Sequence, residues 1–450
     1  MHSLKRIMLV AGRYQPSTPY RELLVKHRLE RMGVEVRFVI PGRGLNKGAE
    51  LDIGDHAEML RKERAWRVDG EWEFRKAMRG CQMVVFSTWR SYLKLTLMAR
   101  AEGRPTINFC AASGQDHWSH GVDRCLIRSA FTKRLLQHLH EEFGHPMPAD
   151  SDIRVVGSIQ YEYPEGQDPI GFPDRESFCR HYGLRPERPI AVFFPKGIQS
   201  FHKKVALWFP EWDQERVDRY NQAFLDKYAQ ICAQVRAAEC NLLVKMHPTA
   251  YASYNCDSGF EFRYWEQYPW AKVLDAAHTM AMYRYADVGL GINSHSALDM
   301  GYFDKPFLYV DSDLLPPPNH PAFDTNKLGR LPVGPSSHWH VGTVTDNPWF
   351  RSWLGAFCRV EEIPGFLQNP RESLPYSRED WQAFIQEYWG MKDNNASERI
   401  ANEILAFGEE FLGSWHRRLS VRHMRGAFWD GVERLKGGAP VGKYAGRRTQ

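Results

Sequence analysis

Short apolar runs separated by longer amphipathic stretches recur along the chain. Ile7-Met8-Leu9-Val10 reads as a buried-type strand, residues 12–19 as a loop, and residues 20–32 as a helix closed by Gly33 at a C′ position. Residues 34–40 return as a second strand, and further strands fall at 83–86, 106–109 and 153–157. A helix is expected from about residue 124 to 140, with Asp123 and Arg124 opening it, since an acidic residue favours a helix N-terminus. Strands without polar alternation, each followed by a helix, point to a parallel sheet covered on both faces.

Between 163 and 189 the chain turns rich in Pro, Gly and charge, with one short helical pattern at 175–182. The alternation then restarts: strands at 190–194, 241–245, 272–274, 287–292 and 306–310, and helices at 216–238, 278–285 and 296–302. Residues 377–411 are helical again. The expected fold class is therefore α/β, with two tandem Rossmann-like doubly wound domains and a helical, basic C-terminal extension. The expected boundaries are 1–165 for the first domain, 166–188 for a linker, 189–376 for the second domain, and 377–450 for the closing helices and tail. Ligands of such sheets bind beyond the carboxyl ends of the strands.

Composition narrows the class. At 450 residues with 43% hydrophobic content, the chain can bury sizeable cores. No apolar run reaches the ~20 residues of a spanning helix, and Met1-His2-Ser3-Leu4-Lys5-Arg6 lacks a signal-peptide core, so a periplasmic-type binding protein is disfavoured. The eight cysteines include no C-x-x-C pair, which favours reduced, mostly buried thiols. Residues 416–450 carry a net +7 of the overall +5, leaving −2 for the remainder, so the main body is not a nucleic-acid surface.

The chemistry concentrates at predicted strand ends. Leu242-Leu243-Val244-Lys245-Met246-His247-Pro248 delivers Lys245 and His247 to a sheet edge, where an imidazole N–H suits a phosphate oxygen and Pro248 stiffens the turn. Gly289-Leu290-Gly291-Ile292-Asn293-Ser294-His295-Ser296 runs from strand to helix, with Ser294, Ser296 and backbone N–H groups facing an anion; Ser296-Ala297-Leu298-Asp299 equally fits a capping box. Lys196 follows the first strand of the second domain, and Asp275 and Asn293 are candidate nucleoside contacts. In the first domain, the loop after residue 109 holds Asp116, His117 and His120, candidates for the base that takes an acceptor hydroxyl's proton, Asp116 first and His120 second. Gly12, Arg13 and Arg90 follow strands one and three and suit an acceptor. The glycine loop is not a dinucleotide fingerprint, and no H-E-x-x-H, Walker loop or G-x-S-x-G occurs.

Residues 241–311 resemble the donor-nucleotide domain of bacterial GT-B enzymes of surface polysaccharide synthesis. Similar groups are the CMP-sugar transferases of the Kdo and sialyl types and the CDP-glycerol glycerophosphotransferases. The resemblance rests on His247-Pro248, the serine pair Ser294-His295-Ser296, Asp299, the strand Lys305-Pro306-Phe307-Leu308-Tyr309, and Ala396-Ser397-Glu398-Arg399-Ile400. His295 between the serines departs from those families. The resemblance implies a GT-B glycosyltransferase, metal-independent and inverting, that moves a sugar from a cytidine nucleotide donor (CMP-Kdo or a sialic-acid-like sugar) to a growing surface glycan. It would hold the nucleotide through Lys196, Lys245, His247, Pro248, Asn293, Ser294, His295, Ser296 and Asp299. A CDP-glycerol glycerophosphotransferase and a UDP-sugar 2-epimerase of the same fold are the alternatives. No cofactor beyond the activated donor and no metal are expected. The implied partners are a nucleotide-sugar and a glycan or lipid-linked glycan acceptor; no nucleic acid is expected. The expected location is cytoplasmic, with residues 416–436 of the basic, partly apolar tail a candidate contact to the inner membrane.

Overall fold

A computed structural model describes residues 4–11, 19–42, 61–87, 93–109, 121–143, 149–163, 170–195, 211–246, 258–292, 294, 296–310, 356–374 and 377–418. These fall into two compact units. Described residues up to 163 and from 386 onward form the first, and those from 170 to 385 form the second.

The first unit is built on a seven-stranded sheet of order β3-β2-β1-β4-β5-β6-β7 with parallel pairing throughout. Its strands are β1 (Arg6–Val10), β2 (Glu35–Pro41), β3 (Trp66–Val68), β4 (Met83–Ser87), β5 (Thr106–Phe109), β6 (Arg124–Ile127) and β7 (Ile153–Val155). Apolar residues fill both faces of the central strands, as burial on two sides demands. Met8, Val10, Val84 and Phe86 face Phe74, Ala77, Leu95 and Ala99 of α2 (Glu71–Met78) and α3 (Leu93–Ala101). The alternate positions Ile7, Leu9, Val85 and Ile107 face α1 (Pro19–Arg31) and α12 (Ala396–Arg418), the latter through Ile400, Ala401 and Ile404. The closing helix thus completes the first unit's core. Its N-terminus is capped from elsewhere in the chain: the buried Glu162 carboxylate accepts the Ser397 N–H at 2.7 Å and the Ser397 hydroxyl.

Where a helix was expected to open at residue 124, the structure has strand β6. Asp123 accepts the Thr106 N–H at 2.8 Å and the Thr106 hydroxyl at 2.9 Å, which clamps β6 to β5 instead of starting a helix. The helix α4 (Ala130–Phe143) starts six residues later, where Ser129 Oγ accepts the Thr132 N–H at 3.3 Å. Buried Arg124 reaches Glu410 of α12 at 2.8 Å and lies 4.4 Å over the Phe407 ring.

The second unit has a six-stranded sheet of order β10-β9-β8-β11-β12-β13, again all parallel. Its strands are β8 (Ile190–Phe193), β9 (Asn241–Val244), β10 (Ala271–Val273), β11 (Val288–Gly291), β12 (Phe307–Val310) and β13 (Ala356–Cys358). The long helix α6 (Gln214–Ala237), started by Asp213 accepting the Arg216 N–H at 2.8 Å, buries Phe224, Tyr228, Ile231 and Val235 against one face. Within the expected linker lies α5 (Arg175–Tyr182), capped by Asp174 and ended by Gly183 at φ +64°. Arg175 ties it to the second sheet through Asp287 at 2.8 Å. The remaining helices are α7 (Ser258–Glu266), α8 (Thr279–Tyr285), α9 (Ser296–Tyr302), α10 (Ile363–Gln368) and α11 (Arg378–Trp389). The division between units falls inside α11. Its Tyr388 and Trp389 lie beneath the Arg128 guanidinium of the first unit, at 4.3 and 4.6 Å.

The six described cysteines (81, 125, 179, 232, 240 and 358) are buried free thiols. Among the described residues no helix is long and apolar enough to cross a membrane.

Candidate functional site

Both sheets reverse their strand order once, between β1 and β4 and between β8 and β11, and such switch points open a crevice at the carboxyl ends of the strands. In the second unit that edge is pinned by backbone hydrogen bonds. The Phe194 N–H donates to the Leu290 carbonyl at 2.9 Å, and the Lys245 N–H to the Phe193 carbonyl at 2.9 Å. Gly291 ends β11 where a Cβ would come within 3.1 Å of the Phe307 ring and 3.3 Å of Ser294 Cβ, so the strand-to-turn passage is tight.

Lys245 leaves β9 on this edge half-buried. Burial pulls its ammonium well below the ordinary lysine range, and Asp299, the attractive charge nearby, only partly offsets that. Asp299 sits one turn into α9, where its Oδ2 accepts the Tyr283 hydroxyl at 3.1 Å. Tyr283 is itself fixed by stacking on Phe303, with centroids 5.1 Å apart and planes 6° from parallel. The capping role falls to Ser294: its Oγ accepts the Ser296 N–H at 3.2 Å, and its carbonyl the Ala297 N–H at 3.4 Å. A lysine whose counter-charge among the described residues is only partial, on the same carboxyl edge as a serine turn two strands away across β8, is chemistry for a phosphate.

A second cluster follows β10. The Tyr182 hydroxyl accepts the Asp275 N–H at 3.2 Å and shares a 2.7 Å hydrogen bond with His278 Nδ1. Burial pushes the Tyr182 phenol up to about 12, so it stays a neutral hydroxyl. The exposed Asp275 carboxylate accepts the Ala277 N–H at 2.8 Å, which makes it the cap of the short turn at 276–278. Phe172 and His181 pack edge-on against His278 at 4.9 and 5.0 Å.

Of the sequence-derived residues, Lys245, Ser294, Ser296 and Asp299 share the carboxyl edge of the second sheet. Gly12, Arg13, Arg90, Asp116, His117, His120, Lys196, His247, Pro248, Asn293 and His295 lie outside the described residues. Tyr283 and the Tyr182–His278 pair were not legible in the sequence, since a tyrosine sixteen residues before its carboxylate partner follows no local period. Among the described residues no group of three or more His, Cys, Asp or Glu is gathered to hold a metal ion.

Two tandem units with parallel doubly wound sheets define the class of protein: an α/β chain of the two-domain Rossmann-like, GT-B type. No protein-family model matches the sequence, and no curated protein does. Solved structures do. The chain is similar to S. aureus MnaA in its structure with UDP, at a TM-score of 0.50 and 12% identity over 90% of this chain and 97% of that one. It is also similar to UDP-GlcNAc 2-epimerase from Methanocaldococcus jannaschii (TM-score 0.49, 10% identity, 89% and 99% covered). The wall teichoic acid polymerase TagF with CDPG gives a TM-score of 0.47 at 11% identity, over 90% and 88% of the two chains. At these identities the likeness is one of fold.

Proposed function

We propose that the chain is a nucleotide-donor transferase of bacterial surface-glycan synthesis, working at the cytoplasmic face of the inner membrane. The donor's nucleotide phosphate is held at the carboxyl edge of the second sheet. The observation that carries this reading is the half-buried Lys245 ammonium at the end of β9, with Asp299 as a partial counter-charge and the Ser294 turn after β11 on the same sheet edge. A donor phosphate supplies the missing negative charge, and the charge developing on the leaving phosphate is stabilised most where water is excluded. In the reaction the bond between the donor's transferred group and the phosphate oxygen breaks while the acceptor oxygen bonds to the anomeric carbon from the opposite side. The acceptor's proton goes to a first-unit base, for which the sequence offers Asp116, then His120 and His117.

The donor we assign is a cytidine nucleotide, a CMP-linked acidic sugar before CDP-glycerol, on the resemblance carried by His247-Pro248 and Ser294-His295-Ser296. A second reading, a UDP-sugar 2-epimerase, is favoured by the fold shared with UDP-bound MnaA.

The test is thermal stabilisation of the purified chain by CMP, CDP, CDP-glycerol, UDP, GDP and ADP. Ligand at 100 times its dissociation constant adds about 2.7 kcal/mol, or about 5–10 °C for a unit of roughly 200 residues. Selective shifts with CMP or CDP that vanish in Lys245→Met support the cytidine donor. A shift with UDP alone moves the assignment to the second reading, and the absence of any shift overturns both.

A further inference from the structure

The first unit carries a surface that donor chemistry does not use. Two tryptophans stand out among its described residues: Trp72 in α2 is 67% exposed and Trp66 in β3, the edge strand, is 43% exposed. Burying an indole is among the larger hydrophobic gains available to a side chain, so two left in water at one edge call for an explanation.

They belong to one continuous stripe. Trp72, Lys76 and Arg79 recur at helical spacing along the outer side of α2 and its C-cap, and the Lys76 ammonium lies 5.4 Å over the Trp72 ring. Arg37 joins the far end of that stripe to β3. Its guanidinium donates to the Ala77 carbonyl and, at 2.8 Å, to the Arg79 carbonyl, and lies 4.8 Å over the Trp66 ring. Indole, ammonium, guanidinium and indole therefore follow one another across the surface.

The charges there do not cancel. Among the described residues the acidic side chains nearby are engaged: Glu71 with Lys94, Asp69 with Arg67, and Glu73 in capping the Asp69 and Gly70 N–H groups. Exposed Lys76 and Arg79, with Arg64 two residues before Trp66, make no ion pair among the described residues. Aromatic rings whose polar edges sit among long cationic side chains match the headgroup zone of a bilayer. There indoles bury their apolar part, lysine and arginine stems lie along the acyl boundary, and their charged ends meet lipid phosphates.

We infer that the stripe Trp72–Lys76–Arg79–Arg37–Trp66 is a docking surface for an anionic phospholipid membrane. It is distinct from the basic tail, and its test does not depend on the donor assignment. Contact there brings the first unit to a lipid surface by its β3 edge.

The experiment is co-sedimentation of the full chain with vesicles of pure phosphatidylcholine and of phosphatidylcholine with phosphatidylglycerol, at low and high salt. Wild type is expected to partition onto the phosphatidylglycerol vesicles only, with binding falling as salt screens the charges. Each cation near an anionic surface changes partition about fivefold, so Lys76→Glu/Arg79→Glu lowers it by at least about 25-fold. Trp66→Ser/Trp72→Ser lowers it as well, and leaves less binding at high salt than wild type retains. All four positions are exposed, and melting curves with and without nucleotide show whether each variant keeps its fold and its donor site. Failure of the wild type to bind overturns the inference. So does binding of both variants at the wild-type level, which would assign membrane contact to another segment. Retention of wild type by an acidic polysaccharide rather than by vesicles, lost in the tryptophan variant, reassigns the stripe to glycan and also overturns it.

Discussion

The buried carboxylate at the start of α12 gives a sharp test of how the first unit is held together. Glu162 accepts two hydrogen bonds from Ser397, to the backbone N–H at 2.7 Å and to the hydroxyl. Burial nevertheless raises its pKa above the ordinary 4.5; the Ser397 hydroxyl, the Ser397 N–H, Arg28 and Arg399 offset that only in part. Glu162→Ala leaves a buried N–H and a buried hydroxyl without their acceptor, a loss of about 2–3 kcal/mol. For a unit of roughly 200 residues that lowers the melting temperature by about 4–12 °C. Glu162→Gln behaves differently. Its carbonyl accepts the N–H, its amide donates to the serine oxygen, and no charge is buried, so at neutral pH it is at least as stable as wild type. The pH dependence follows from the raised value. The native state holds the proton more tightly than the unfolded chain, so this group's contribution is full below about 4.5 and declines as pH rises through the raised pKa. Urea unfolding of wild type, Glu162→Ala and Glu162→Gln between about pH 4 and about pH 8 should show the glutamine variant gaining on wild type as pH increases. Equal losses in Ala and Gln, or a wild-type advantage that grows with pH, would refute the reasoning.

Two further predictions concern the second unit. Because Lys245 must be protonated to hold a phosphate and burial has pulled its pKa down, nucleotide affinity should fall as pH rises through a value below the usual 10.5. Calorimetric titration from about pH 7 to about pH 10 checks this, with Lys245→Arg, whose charge persists, giving a flat profile. Gly289→Ala would place a Cβ 2.6 Å from the Phe307 ring and 3.0 Å from Met300 Cγ in a filled core, and should cost about 1–3 kcal/mol in denaturant unfolding.

Elements with strong local signals were legible in the sequence. The runs at 7–10, 83–86 and 242–244 are buried on both faces and so read as apolar blocks, and Gly33 and Gly183 at positive φ mark two helix ends. The strand β6 was lost because Leu126 and Ile127 continue the apolar spacing of the helix behind them. The Ser129-x-x-Thr132 cap is the local signal that separates the two. Strand β3 has two exposed residues out of three and carries no apolar run to find. At the carboxyl edge of the second sheet the strand-end positions of Lys245 and Ser294 followed from periodicity. The anchoring of Asp299 by Tyr283 did not, because it depends on how α8 lies against α9. Nor does any local pattern say that α12 belongs with the first sheet, since only Ile400, Ala401 and Ile404 meeting Leu9 and Val25 in three dimensions decide that.

That last arrangement bears on synthesis. The first sheet and its helices are translated long before α12, with roughly 230 residues between the two segments. At elongation rates of roughly 5–20 residues per second that interval lasts roughly 10–50 s. Throughout it, the apolar surface on the α1 side that Ile400 and Ile404 will cover stays open on the ribosome-bound chain. The second unit's strands emerge within the same interval. The newborn chain therefore passes that interval with an unfinished first core, and exposed apolar surface of that kind is what makes incomplete chains prone to aggregate.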